Sequence, residues 1–114
     1  MWSNKTLTSN EGSQDLSAGS LTLDYTPTRD AFVHSVGIGF DGAVSQTVVL
    51  TLISSTGAAY ATQLDSTALS SATKYAYKPS SPIAVPSGWT LRLTCTNTST
   101  PAVVASAAMV TQER

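Results

Sequence analysis

At 114 residues the chain is one domain, long enough to bury a core without metals or disulfides. It carries 17 serines and 17 threonines, 41% hydrophobic and only 11% charged residues, with a formal net charge of −1. That balance excludes wholesale disorder. The scattered cations Lys5, Arg29, Lys74, Lys78, Arg92 and Arg114 cannot build the basic face that nucleic-acid binding needs.

Residues 1–19 are polar and poor in periodicity and read as an N-terminal arm, with one short strand near Lys5 to Thr8. Met1 to Lys5 lacks the apolar run of a signal peptide, so synthesis and folding in a host cytoplasm are expected. Residues 20–114 then read as a β-sandwich domain. Ser20 to Thr26 alternates, with Leu21, Leu23 and Tyr25 on one face, and Pro27-Thr28-Arg29-Asp30 turns the chain. Ala31 to Phe40 follows, ended by Asp41-Gly42. Within it, a bulge at His34-Ser35 sends Val33 inward and His34 outward, because an unpaired histidine in a core is costly.

Ser45 to Ser54 and Ala58 to Asp65 form a hairpin, and Ser66 to Ser71 is a polar connection with room for one helical turn. Thr73 to Lys78 has Tyr75 and Tyr77 on one face, and Ile83 to Val85 is a short strand before the Pro86-Ser87-Gly88 turn. Trp89 to Asn97 places Leu91, Leu93 and Cys95 inward, Asn97 to Pro101 turns, and Ala102 to Thr111 closes the domain. Its apolar part, Ala102 to Val110, is too short to span a bilayer and is broken by Ser106. About eight strands with turns every 8–12 residues give an all-β antiparallel sandwich, jelly-roll or immunoglobulin-like in order.

Chemistry-bearing residues are sparse. His34 is the only histidine and no G-x-S-x-G elbow exists, so no catalytic residue is expected. Cys95, the only cysteine, shares parity with Leu91 and Leu93 and is expected to be a buried apolar side chain. Asp24, Asp30, Asp41 and Asp65 are scattered among strand ends and turns, where aspartate is common, so no metal site and no cofactor are expected. Tyr25, Tyr60, Tyr75, Tyr77, Trp2 and Trp89 are the material for a sugar-stacking platform or for ordinary sheet packing. Trp2, in a polar arm with nothing local to pack on, is the candidate partner contact.

Three stretches carry a family resemblance. Leu21-Thr22-Leu23-Asp24-Tyr25-Thr26-Pro27 precedes the strand Phe32 to Phe40, and Val49 to Ile53 leads into Thr56-Gly57-Ala58-Ala59-Tyr60-Ala61-Thr62. Val85-Pro86-Ser87-Gly88-Trp89-Thr90-Leu91-Arg92-Leu93 forms a turn and strand. From about residue 20 onward the chain resembles small β-sandwich virion proteins of tailed bacteriophages, of the head decoration (cement) type. Trp89 stands where that family carries the acid of Pro-x-Gly-Asp, and no functional residue is carried over.

The resemblance implies a non-enzymatic structural protein of the virion that binds the major capsid protein, or another virion protein, on the outside of a shell and stabilises it. Sites of three-fold symmetry would favour a homo-oligomer, a trimer. A tail, neck or baseplate component and a carbohydrate-binding, lectin-like module are the alternatives. No nucleic acid or membrane partner is expected. Removing Met1 to Ser20 is expected to leave a folded domain.

Overall fold

The computed structural model describes residues 7–96 and 102–113. Nine strands occur among them: β1 (Thr8–Asp15), β2 (Leu21–Tyr25), β3 (Ala31–Val44), β4 (Thr47–Ile53), β5 (Ala61–Ala68), β6 (Ala72–Tyr77), β7 (Ile83–Val85), β8 (Thr90–Cys95) and β9 (Val104–Glu113). A single 3-10 turn, Ala58–Tyr60, precedes β5. One sheet has the order β1-β9-β3-β6, with β7 also on β3, and the other has the order β2-β8-β4-β5.

The order identifies the roll. β4 pairs with β5, β3 with β6, β2 with β8 and β1 with β9, all antiparallel. These are the rungs of one long hairpin centred on the β4–β5 turn. Rolling that hairpin brings β9 onto β3 and β8 onto β4, which closes the two sheets. This is a jelly roll, and of the two orders open to the sequence it excludes the immunoglobulin one.

Period-two patterning builds the core. In the four-stranded sheet Leu23 pairs with Leu93 and Leu93 with Leu50, while Leu21 pairs with Cys95 and Cys95 with Val48. In the other sheet Ile38 lies between Ala107 and Tyr75, and Val36 between Met109 and Tyr77. Small alanines at 105 and 107 face large Phe40 and Ile38 along one ladder, so volume is filled without overpacking. Leu50, Leu91, Leu93, Cys95 and Met109 are fully buried, and each large apolar side chain so buried contributes roughly 1.5–3 kcal/mol.

The expected bulge is present. Pairing of β3 with β9 shifts register between Val33 and Ser35, which leaves Val33 and Val36 buried and His34 half-buried. The buried thiol expected at Cys95 is also found.

Elsewhere the strands run differently from the sequence reading. Thr8–Asp15, read as arm, is a full strand matched residue for residue to β9, and Leu16 just beyond it is 0% exposed. The Leu16 N–H donates to the Val103 carbonyl at 2.8 Å. The sandwich therefore begins before residue 20. β3 does not stop at Asp41-Gly42 but continues to Val44, because the Asp41 carboxylate accepts the Val104 N–H at 2.8 Å and holds that stretch against β9. The polar connection at Ser66 is strand as far as Ala68, with no helical turn.

The sandwich is stitched along both open sides. On one, the Asn10 amide donates to the Asp24 carbonyl at 3.1 Å, and β1 lies so near β2 that a Cβ on Gly12 would come within 3.1 Å of Leu23 Cδ1. On the other, the Tyr75 hydroxyl reaches across to the Asp65 carboxylate at 2.6 Å. At one end the Pro86 carbonyl accepts the Trp89 N–H, and Gly88 takes the left-handed φ of 81° that this turn needs. Half-buried Trp89 packs there against the core.

Candidate functional site

The residues with chemistry in them serve the fold. His34 Nε2 hydrogen-bonds Gln112 Oε1 at 2.9 Å. Burial pushes the Cys95 thiol up from its ordinary value, so it is a poor nucleophile. Each aspartate named in the sequence is engaged: Asp24 with Arg92, Asp30 with the Ser87 N–H, Asp41 with the Val104 N–H, and Asp65 with Tyr75 and Thr67. Among the described residues no group of three or more His, Cys, Asp and Glu could hold a metal. No helix there is long and apolar enough to cross a membrane.

The aromatic residues are dispersed. Tyr75 is buried, Tyr25, Tyr77 and Trp89 are half-buried, and Tyr60 is 63% exposed. Burial raises the Tyr25 hydroxyl, against a hydrogen bond with Thr111 that lowers it. Burial and the bond to Asp65 raise Tyr75 strongly. Trp2, the expected partner contact, lies outside the described residues.

What remains are surfaces. β5 ends the four-stranded sheet, pairing with β4 on one side only. Sheet edges are ordinarily protected by charge, proline, a bulge or a covering segment, and β5 has only a bulge, at Leu64 where its pairing with β4 shifts register. β1 carries Glu11 and Asp15, β2 is covered by Asn10, and β6 carries Lys74 and runs into Lys78-Pro79. β5 reads Ala-Thr-Gln-Leu-Asp-Ser-Thr-Ala, and its one charge, Asp65, is occupied by Tyr75 and Thr67. Exposed Tyr60 stands at its entry. Such an edge offers main-chain donors and acceptors to an added strand, with an aromatic anchor at one end. Composition alone hides this, because a polar Thr/Ser strand looks like any solvated segment.

The two outer faces differ. Across the four-stranded sheet, Thr22, Thr94, Val49 and Ser66 form one row, and Asp24, Arg92, Thr51 and Gln63 the next. Arg92 grips Asp24 through Nε at 2.8 Å and through its second nitrogen at 2.9 Å. Across the five-stranded sheet the rows are Glu11, Ala108, Gly37 and Ala76, then Ser13, Ser106, Gly39 and Lys74. A shallow depression there is floored by Gly37, Gly39, Ser106 and Ala108.

No family model matches the chain, and no curated protein matches it. Among solved structures it is similar to the crystal structure of PirA, with 13% identity and a TM-score of 0.47 over 93% of this chain and 92% of that one. A likeness that loose says nothing of function.

Proposed function

We propose that the chain is a structural protein of a bacteriophage virion, a decoration protein that seats on the outer surface of a capsid shell and stabilises it without chemistry. The β5 edge, free of proline and of any unengaged charge though bulged at Leu64, carries the reading with Tyr60 exposed at its entry: it would accept a strand or loop of a neighbouring protein. The family resemblance from residue 20 onward supports it, as does the jelly-roll order. That order recurs in viral capsid and lectin domains, and this part of the support is fold-level analogy. Weak individual contacts suffice where many copies act on one shell.

The test is saturable co-sedimentation of the purified protein with preformed shells that lack it, together with the temperature at which those shells break. Binding with a raised disruption temperature, both lost in Tyr60→Ala, is the expected outcome. Absence of binding at any concentration overturns the reading. Labelled particles marked at a single vertex would move the protein to the tail, neck or baseplate. The carbohydrate-binding alternative requires neighbouring exposed aromatics, and of Tyr25, Tyr60, Tyr75, Tyr77 and Trp89 only Tyr60 is exposed.

A further inference from the structure

Gly37 and Gly39 sit in β3, the longest of the described strands, and nothing among the described residues requires them. Neither has a positive φ; among the glycines only Gly57 and Gly88 do. A Cβ at Gly39 would meet nothing within 4 Å, and one at Gly37 would make ordinary contact at 3.5 Å. Glycine inside a strand loses conformational entropy and packs nothing, so it commonly marks the close approach of another backbone. Both glycines point to the outer face of the five-stranded sheet, beside Ala108, Ser106 and Ala76.

Charge is distributed across that face in one direction. Glu11 and Asp15 lie on β1 at one edge, while Lys74 on β6 and Lys78 just after it lie at the other. Neither lysine forms an ion pair among the described residues. A two-fold axis parallel to the strands turns the face over onto itself, keeps each row at its own height and exchanges the edges. Glu11 of one copy then meets the space between Lys74 and Lys78 of the other, twice over. A two-fold perpendicular to the strands would set acid on acid and base on base.

We propose that this face is the interface of a symmetric homodimer: two copies stacked sheet on sheet through Gly37, Gly39, Ser106 and Ala108, with β1 of each over β6 of the other. Four strands at about 4.8 Å spacing and four rows along them cover roughly 500 Å² per copy. That is the low end for a specific interface, so the pairing is concentration-dependent. Isologous contact of this kind is how most closed homo-oligomers form. The inference holds whether or not the protein decorates a shell.

Sedimentation velocity of the full chain from about 5 μM to about 1 mM tests it, the range bracketing a micromolar association. A monomer–dimer transition is expected. Gly39→Val should weaken it at least ~10-fold with the monomer's thermal midpoint unchanged or raised, since the added side chain has open space in the monomer. Lys74→Glu, a surface change that leaves folding alone, should also weaken it, most at low salt. Glu11→Lys combined with Lys74→Glu and Lys78→Glu should restore it. A chain that stays monomeric throughout, a trimer, or pairing indifferent to both Gly39→Val and Lys74→Glu overturns the proposal. Shell binding abolished by Gly39→Val in a protein that never self-associates would give the face to the shell and overturn it equally.

Discussion

The outer faces of the two sheets solve the same problem in opposite ways. One is coated with threonine, serine and a two-pronged Arg92–Asp24 pair, so its polar groups satisfy one another or water. The other is stripped to glycine, alanine and serine at its centre, with Glu11 and Asp15 at one rim and Lys74 at the other. Both rest on the same buried layers of leucine and valine. Burial therefore does not explain the difference. A face that gains nothing for its own monomer by being bare is what the proposed homodimer would explain.

The hardest blow to both faces falls beneath them. Leu93→Ala removes the middle of the Leu23–Leu93–Leu50 layer and should cost ~2–5 kcal/mol, read as a lowered denaturation midpoint. Leu16→Ala should fall in the same range, since that side chain is also fully buried. Deleting Met1 to Ser20 removes β1 and Leu16 together and uncovers one side of β9. It is expected to yield an unstable domain, contrary to the sequence reading of this stretch as a dispensable arm. A truncated chain with an unchanged midpoint would show that β1 contributes nothing.

Next comes the side seam that joins the sheets. Tyr75→Phe leaves the Asp65 carboxylate without its shortest partner and should cost ~1.5 kcal/mol. The seam also sets an alkaline limit. Tyr75 and Cys95 both hold their protons more tightly folded than unfolded, chiefly through burial. The folded state therefore binds more protons than the unfolded one above the ordinary thiol and phenol values of 9.0 and 10.0. Stability should be intact below about pH 9 and should fall as pH rises further, less steeply in Tyr75→Phe. Chemical denaturation across pH 7 to 11 reads this directly, and a flat profile would contradict it.

The faces themselves are separated by a reciprocal exchange. Thr94→Gly on the hydroxyl face should cost about 1 kcal/mol, whereas Gly39→Thr on the bare face should be neutral or stabilising in the monomer. Equal losses at both sites would mean that Gly39 is needed by the fold after all. The smallest effect belongs to Arg92→Ala, at most about 1 kcal/mol and fading with salt, because the pair is about two-fifths exposed.

The same contrast explains what could be read from the sequence. Strands whose inner face is leucine alternate cleanly, so Leu21 to Tyr25 and Leu91 to Cys95 announce themselves, and the histidine that breaks parity in β3 announces its bulge. β1 does not, because its inward positions are Asn10, Gly12 and Gln14. It curls toward β2, where Gly12 leaves room for Leu23 and Asn10 caps a carbonyl. A strand whose inner face is polar and small carries no period-two hydrophobic signal. The extension of β3 through Asp41-Gly42 was hidden for a similar reason, since a side-chain hydrogen bond to Val104 replaces the apolar contact that patterning detects. Of the candidate surfaces, the β5 edge and the bare face become visible only once strand order sets residues distant in sequence side by side.

The placement of β9 between β1 and β3 has a temporal consequence. It leaves the ribosome after every other described strand, yet it is the centre plank of the larger sheet. Until it arrives, β1 has no partner in that sheet and β3 presents an open ladder, so this half of the roll stays open until β9 emerges. Maturation is then a single late event governed by long-range closure, which is slow by the standards of local folds. Any covering that seals the bare ladder in the interval would raise the yield of native protein.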